Sequence, residues 1–358
     1  MNNPEAHDAS VISTSPREAT DCRFPLTRRH FIFGFTAVAG FASFGRATAA
    51  KGNLRQFHNQ PPESPLHRRL TELWAAVASE TGGAVLVRTF AENDHIAGGD
   101  PAALRLLVAG ELDFLTLMGG LIAPLVPAAQ VQGIPFAFSD NAQVYAAMDG
   151  DLGDYLRREL IAKGLYAIPR GCFENGFRHI TSTAKPIHGA EDLRGLKMRT
   201  PNSPIFTDMF QSLGATPVAY NVNQLYDCLK SGAADAEENA LAVVEAFKLY
   251  EIQKYVSLTS HMWSGFNQLA NLKLWQQFPA DTQRVIERNT AKFVALQRAD
   301  NEKLNVDLKK KLTEQGMKVN EAETASFRSR LGPFYGRWKE IVGKTTWDIL
   351  ESHVGKLA

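Results

Sequence analysis

Cysteine is scarce, at three in 358 residues. That count excludes a disulfide scaffold, and the absence of any C-x-x-C or C-x-x-C-H spacing excludes the usual zinc, thioredoxin-like and c-type haem signatures. The short motifs of catalysis and nucleotide binding are missing too. There is no G-x-G-x-x-G, no Walker loop, no G-x-S-x-G and no H-E-x-x-H. His58, His67, His95, His179, His188, His261 and His353 stand apart, with no pair at metal-ligand spacing. No catalytic residue, metal or cofactor is assigned. An excess of charge is also lacking, with 39 Lys+Arg against 38 Asp+Glu. That balance gives no general attraction to nucleic acid or to anionic membranes. What remains is 44% hydrophobic and 22% charged, an ordinary globular mixture. The length suits two domains at ~100–200 residues each.

The first fifty residues read as an address. Residues 1–26 are polar and unpatterned. Thr27-Arg28-Arg29-His30-Phe31-Ile32 then leads into an apolar run from Phe31 to Phe44, followed by Ala47-Thr48-Ala49. A basic flank, a short apolar segment and an A-x-A site are the parts of a secretory signal. Arg28-Arg29 resembles a twin-arginine export signal, with Phe33 where Lys is common. The apolar run is about fourteen residues long, too short for the ~20 of a membrane-spanning helix. Cys22 precedes it and is no lipoprotein cysteine. The expected product is a periplasmic chain starting near Ala50. Removing the leader's five arginines and four acids leaves that chain electrically neutral. Cys172 and Cys228 are read as two buried thiols, although a pairing stays open.

Helix and strand signals then alternate. Ser64–Ser79 carries Leu66, Leu70, Leu73, Trp74 and Val77 at helical spacing, and Gly82-Gly83 ends it. Ala84–Phe90 reads as a strand. Asp100-Pro101 reads as a cap and first helical residue. Leu112–Leu117, Leu165–Ile168 and Leu196–Thr200 read as strands; Asp151–Lys163, a segment from Ser203-Pro204, and Asn223–Lys230 read as helices. This alternation predicts an α/β architecture with mainly parallel sheets. Pro279–Gln315 predicts one helix of about thirty-five residues, roughly 50 Å long, with a kinked pair of helices as the alternative.

The informative stretch runs from Phe173 to Asn239. It holds Glu174-Asn175-Gly176-Phe177-Arg178, Lys185-Pro186-Ile187 and Glu191-Asp192-Leu193-Arg194-Gly195-Leu196-Lys197-Met198-Arg199. Leu213-Gly214-Ala215-Thr216-Pro217, Leu225-Tyr226 and Asp235-Ala236-Glu237-Glu238-Asn239 follow. These blocks resemble the solute receptors of tripartite ATP-independent periplasmic (TRAP) transporters. Gly110-Glu111-Leu112-Asp113, Ile134-Pro135-Phe136-Ala137-Phe138 and Tyr250–Tyr255 with His261 extend the resemblance over nearly the whole chain after the leader. It implies a two-lobed α/β periplasmic binding protein with a hinge and a long helix spanning both lobes. Residues 1–49 would be the leader and 50–175 the first lobe, with 265–278 returning to it. Residues 176–264 would be the second lobe, with 320–358 returning to it, and 279–316 the long helix. Such a protein captures a small organic acid by hinge closure and delivers it to integral-membrane transporter subunits, without catalysis. A monomer is expected; a dimer through the C-terminal helices stays open. A receptor serving a sensor and an exported oxidoreductase are the competing readings.

The same resemblance names site residues. Arg199 would clamp the ligand carboxylate, because a guanidinium stays charged and can make two parallel hydrogen bonds to it. Arg178 would touch the ligand or brace the clamp, with an ion pair to Glu174, Glu237 or Glu238 as the alternative. Asn239 would hydrogen-bond the ligand, and Asn202 would support it. Asn59 and Met118 would reach it from the first lobe. Phe173 stands where the family often has Trp, and Val222 where some relatives place an aromatic ring. Gln224, Ala236, Ala240 and residues 91–100 depart from the family pattern. Sialic acids, C4-dicarboxylates, sugar acids, aromatic acids and 2-oxo acids all stay open as ligands.

Overall fold

The computed structural model describes residues 53–357. The leader, its Arg28-Arg29 pair and the cleavage site lie outside them. Nine strands form one sheet: β1 (Asn53–His58), β2 (Leu86–Phe90), β3 (Phe114–Met118), β4 (Leu165–Ser182), β5 (Lys197–Thr200), β6 (Thr216–Ala219), β7 (Ala236–Ala240), β8 (Tyr255–Asn271) and β9 (Lys318–Glu321). Their order is β2-β1-β3-β8-β4-β7-β5-β6, with β9 added beside β8.

The sheet is mixed, which corrects the expectation of mainly parallel pairing. The β2-β1-β3 and β7-β5-β6 groups are parallel within themselves. The central β4 and β8 run antiparallel to each other and to β7 and β3 respectively, while β9 joins β8 in parallel. These two strands are long, at 18 and 17 residues, and they join two lobes. The first half of β4 and the last half of β8 complete the first lobe. The other halves complete the second. The sequence shows only the start of β4, because Pro169, Gly171 and Gly176 interrupt its pattern. Register shifts fall between Ala167 and Cys172, between Glu174 and Gly176, and between Arg178 and Ile180. The middle one falls where the strand passes between the lobes, and such irregularities bend a strand.

Helices cover the sheet: α1 (Pro65–Glu80), α2 (Gly99–Ala109), α3 (Gly119–Ile122), α4 (Asn141–Asp149), α5 (Asp151–Ile161), α6 (Pro204–Ser212), α7 (Leu225–Lys230), α8 (Leu241–Ala246) and α9 (Leu272–Gln277). The predicted stripe of α1 is buried, and Ser64 caps it through the His67 amide. The α2 start differs from expectation. Gly98 is its cap, in the left-handed conformation, and Asp100 lies inside the first turn. Cys172 and Cys228 are separate buried thiols.

Next comes α10 (Ala280–Glu314), a single 35-residue helix. As far as Asn301 it packs on α1 and β4, where Arg69 binds Asp300 and Asn289 binds Glu80. Its last turns pack on α8, with Leu308 and Leu312 in a core shared with Val244 and Val256. The helix therefore braces both lobes. Then follow α11 (Thr324–Arg328), α12 (Gly332–Val342) and α13 (Lys344–Val354). The tail reaches beyond the second lobe. Trp338 of α12 donates to Asp208 of α6, while His353 of α13 meets Asp151 of α5.

Candidate ligand-binding site

The carboxyl ends of β1, β3 and β5 point toward one another across a cleft between the lobes. Binding at strand carboxyl ends is the general habit of α/β sheets. The cleft holds about 400 Å³ of empty space, part of it open solvent, and is lined by residues of both lobes. Seven of the eight residues that the sequence nominated meet there: Arg199, Arg178, Asn239, Asn202, Asn59, Met118 and Val222. Phe173 does not. It is fully buried in the hydrophobic core, opposite Phe266 on β8. Phe266 is the phenylalanine that reaches the cleft.

The two arginines differ sharply. Arg178 sits on β4, facing β7, where Glu238 stands two residues along the partner strand from its own register mate, Ala240. Its Nε donates to Glu238 Oε2 at 2.5 Å and its Nη2 to Oε1 at 2.8 Å. Nη2 also donates to the Glu238 carbonyl and Nη1 to Ser264 Oγ. The Phe206 ring lies 5.0 Å below the guanidinium. The alternative reading of Arg178 as an ion-pair member thus holds for Glu238, and the same side chain still lines the cleft. His261 shares Glu238, with Nε2 3.2 Å from Oε2. Burial lowers the His261 pKa against the opposite pull of Glu238. Burial raises the Glu238 pKa, but Arg178 and the His261 hydrogen bond together outweigh it and hold the carboxylate below its usual range.

Arg199 is the inner residue of the short strand β5, 1% exposed. Its Nη2 donates to the Tyr220 carbonyl at 2.6 Å, and its Nε has no partner. Among the described residues, no carboxylate forms an ion pair with it. Burial works against its charge, and Glu237 and Glu238 at longer range offset part of that cost. Glu237 is itself pushed up to about 7 by burial, with Arg199 pulling the other way. It accepts from Thr181 Oγ1 and from Asn239 Nδ2, each at 3.0 Å. A buried guanidinium with unused donors costs free energy until an anion fills it. Glu237 thereby fixes Asn239 beside the clamp.

The facing wall is built from amides. Asn59 follows β1 and donates to Asp100 Oδ2 at 3.0 Å, while Gln60 donates to Asn59 Oδ1. Asn93 donates to Asp100 Oδ1 at 2.8 Å. Asn93 lies in a turn whose four residues Glu92–His95 all have φ between 50° and 55°. Residues outside glycine rarely adopt that conformation, and it clusters at functional sites. Asp100 is 4% exposed, and burial raises its pKa against the pull of both amides and of Arg199. Across the opening, Asn202 Nδ2 donates to Asn221 Oδ1 at 2.9 Å. Sequence reading missed Asp100, Asn221, Asn175, Gln60 and Phe266. The D-P pair imitates a helix cap, which hid Asp100. Asn175 stood in the Glu174–Arg178 block and was the one legible signal.

A two-lobed molecule with a buried guanidinium that has no ion-pair partner and faces the cleft between its lobes defines a binding protein for an anionic solute. Residues 57–341 match the bacterial extracellular solute-binding protein family 7, DctP, and the chain belongs to that family. An uncharacterized protein of Sinorhizobium fredii, y4mM, is 31% identical over 259 residues, or 70% of this chain. The chain spans 47% of that relative, about half its length. The sugar acid binding protein DctPAm of Advenella mimigardefordensis, solved in complex with galactonate, is 28% identical with a TM-score of 0.80. That match covers 86% of this chain and 99% of the other. A TRAP periplasmic solute binding protein of Chromohalobacter salexigens, solved with bound d-glucuronate, is 26% identical with a TM-score of 0.79. It covers 84% of this chain and 99% of its own. Among the described residues, no helix is long and apolar enough to cross a membrane.

Proposed function

We propose that this protein captures a small organic acid in the cleft between its lobes and passes it, unchanged, to the membrane subunits of a TRAP transporter. The observation that carries the reading is the Arg199 guanidinium, fully buried, without a carboxylate partner and open to the cleft. The sugar acids held by the two solved relatives support it. Arg199 clamps the carboxylate. Arg178, fixed by Glu238, supplies positive potential and the Nη1 donor beside it. Asn239 and Asn202 bind from the second lobe, and Asn59 from the first. Met118 and Val222 supply apolar walls. The lobes meet at the 175/176 and 264/265 boundaries, and the receptor works outside the cytoplasmic membrane as a monomer. The leader at 1–49 serves as its twin-arginine export signal.

The test is calorimetric titration of the unfolded-and-refolded protein with galactonate, glucuronate and succinate, each beside its amide. Refolding removes any acid carried through purification. At least one acid binds and its amide does not. Arg199→Ala lowers affinity at least tenfold, since a hydrogen bond to a charged group contributes about 1.5–3 kcal/mol. Arg199→Lys recovers only part of it, because Lys lacks the two-pronged fork. Binding of acid and amide alike, or an Arg199→Ala variant with unchanged affinity, would sink the clamp.

A further inference from the structure

Resting on that reading, we propose that the cleft selects monocarboxylates bearing hydroxyl groups over dicarboxylates, and that Asp100 is the residue that selects.

Two cationic side chains line the cleft, Arg178 and Arg199. Arg178 spends its fork on Glu238, two hydrogen bonds to the carboxylate and one to the carbonyl. Among the described residues that leaves Arg199 as the one lining cation without an ion-pair partner. One carboxylate satisfies it. A second carboxylate on the ligand would need a second free cation, and the wall facing Arg199 offers an acid.

That acid is placed with care. Asp100 accepts from Asn59 on one oxygen and from Asn93 on the other. The two amides fix its orientation and leave each oxygen a lone pair for a further donor. Asn93 is itself held in the left-handed turn Glu92–His95. Asp100 therefore presents an oriented acceptor to whatever fills the cleft. A ligand hydroxyl can donate to it. Both Asp100 oxygens accept amide hydrogens, which with Arg199 favours the ionised acid against the upward pull of burial. A ligand carboxylate has no hydrogen to donate, and beside the ionised Asp100 it meets like charge in a site screened from water. Asn59 and Asn202 continue the pattern, since an amide both donates to and accepts from hydroxyls.

An ammonium ligand is the competing occupant for an acid. A desolvated cation takes an aromatic face or several carboxylates. Phe266 is the single aromatic ring lining this cleft, and Asp100 its single carboxylate. The hydroxyl reading fits the remaining amides better. A site built to hydrogen-bond hydroxyls rejects an analogue that lacks them strongly, because its buried polar groups are then left unpaired.

The experiment is calorimetric titration of the refolded protein with galactonate, hexanoate, succinate and glutamate, before and after Asp100→Asn. Galactonate binds at least ~100-fold more tightly than succinate or hexanoate in the unchanged protein, a margin in the range that unpaired polar groups impose. Asp100→Asn narrows the galactonate-to-succinate ratio at least tenfold, by weakening the first and strengthening the second. The proposal falls if succinate or glutamate matches galactonate in the unchanged protein, or if Asp100→Asn leaves the ratio where it was. Succinate binding as tight as galactonate and dependent on Arg199 would overturn this proposal and leave the receptor reading intact. Failure of all four acids to bind would overturn both. The unchanged protein's own ranking decides the matter should Asp100→Asn fold poorly.

Discussion

At the scale of single residues, two arginines in one cleft do different work. Arg199 keeps donors free; Arg178 has committed most of its own to Glu238. Both members of the Arg178–Glu238 pair are buried, at 2% and 0% exposure. Removing one partner strands a charge in low dielectric. Arg178→Met is therefore expected to destabilise the fold by about 3–5 kcal/mol, read as a shift in the urea midpoint. Arg178→Met together with Glu238→Gln should recover much of that loss, since no lone charge remains. Arg199→Ala should cost less stability, because no carboxylate pairs with it. Sequence reading placed both arginines in the cleft but left Arg178 between two roles. Nothing in a sequence says which of Glu174, Glu237 and Glu238 a strand brings alongside. That depends on the β4–β7 register, in which Arg178 faces Ala240 and reaches Glu238. Phe173 failed for a related reason. A bulky residue in a binding block is as often spent in the core as on the ligand, and Phe266 on the facing strand took the cleft position.

At the scale of elements, β4 is the strand on which the lobes turn, and α10 holds it. Gln297 accepts from the Glu174 amide at 2.8 Å and donates to its carbonyl at 2.7 Å, and Asn301 donates to the same carbonyl. These side chains replace ladder bonds that the register shift at Glu174–Gly176 removes. Gln297→Ala leaves a buried backbone amide without its partner, at a cost of about 1–3 kcal/mol. Denaturant unfolding would show it. The Glu174 side chain has its own signature. It accepts from Tyr145 Oη and Trp263 Nε1, yet burial still pushes it up to about 7. The folded chain thus keeps a proton that the unfolded chain releases near the ordinary value of 4.5. Stability from this group falls as pH rises from about 4.5 to about 7. Glu174→Gln removes that dependence. Its melting temperature relative to the unchanged protein should climb across this window and level off above it. A constant difference from pH 4.5 to 8 would refute the assignment. The comparison cancels His58 and His179, which burial lowers to about 3 and which act in the opposite direction. The long helix was legible because thirty-five residues without an internal Gly or Pro hold one periodicity. The long strands were not, because a hinge strand needs the bulges that break the pattern used to find strands.

At the scale of the whole molecule, the lobes touch at the mouth of the cleft. Asn221 of the second lobe lies 3.5 Å, through Nδ2, from the Gly98 carbonyl of the first. A Cβ on Gly99 would stand 2.8 Å from Asn221 Cγ. Glycine at that position lets the rims meet, so Gly99 bears on the equilibrium between open and closed forms. A ligand can shift that equilibrium only by its differential affinity for the two forms, and obstructing the closed form lowers apparent affinity by the fraction lost. Gly99→Ala adds a clash that exists only when the rims are together. It also adds the strain of a positive φ, here +60°, which is present in both forms and cancels from binding. Gly99→Ala should weaken ligand binding about tenfold, the scale of a modest overpacking clash of 1–3 kcal/mol. In an Asn221→Ala background the clash is gone. The same substitution should then change affinity less than about twofold, a coupling that a double-mutant cycle reads directly. Small-angle scattering supplies the second arm. The radius of gyration should fall on adding acid to the unchanged protein and fall less for Gly99→Ala. Equal penalties in both backgrounds would place the effect in α2 itself and remove Gly99 from the closing of the cleft.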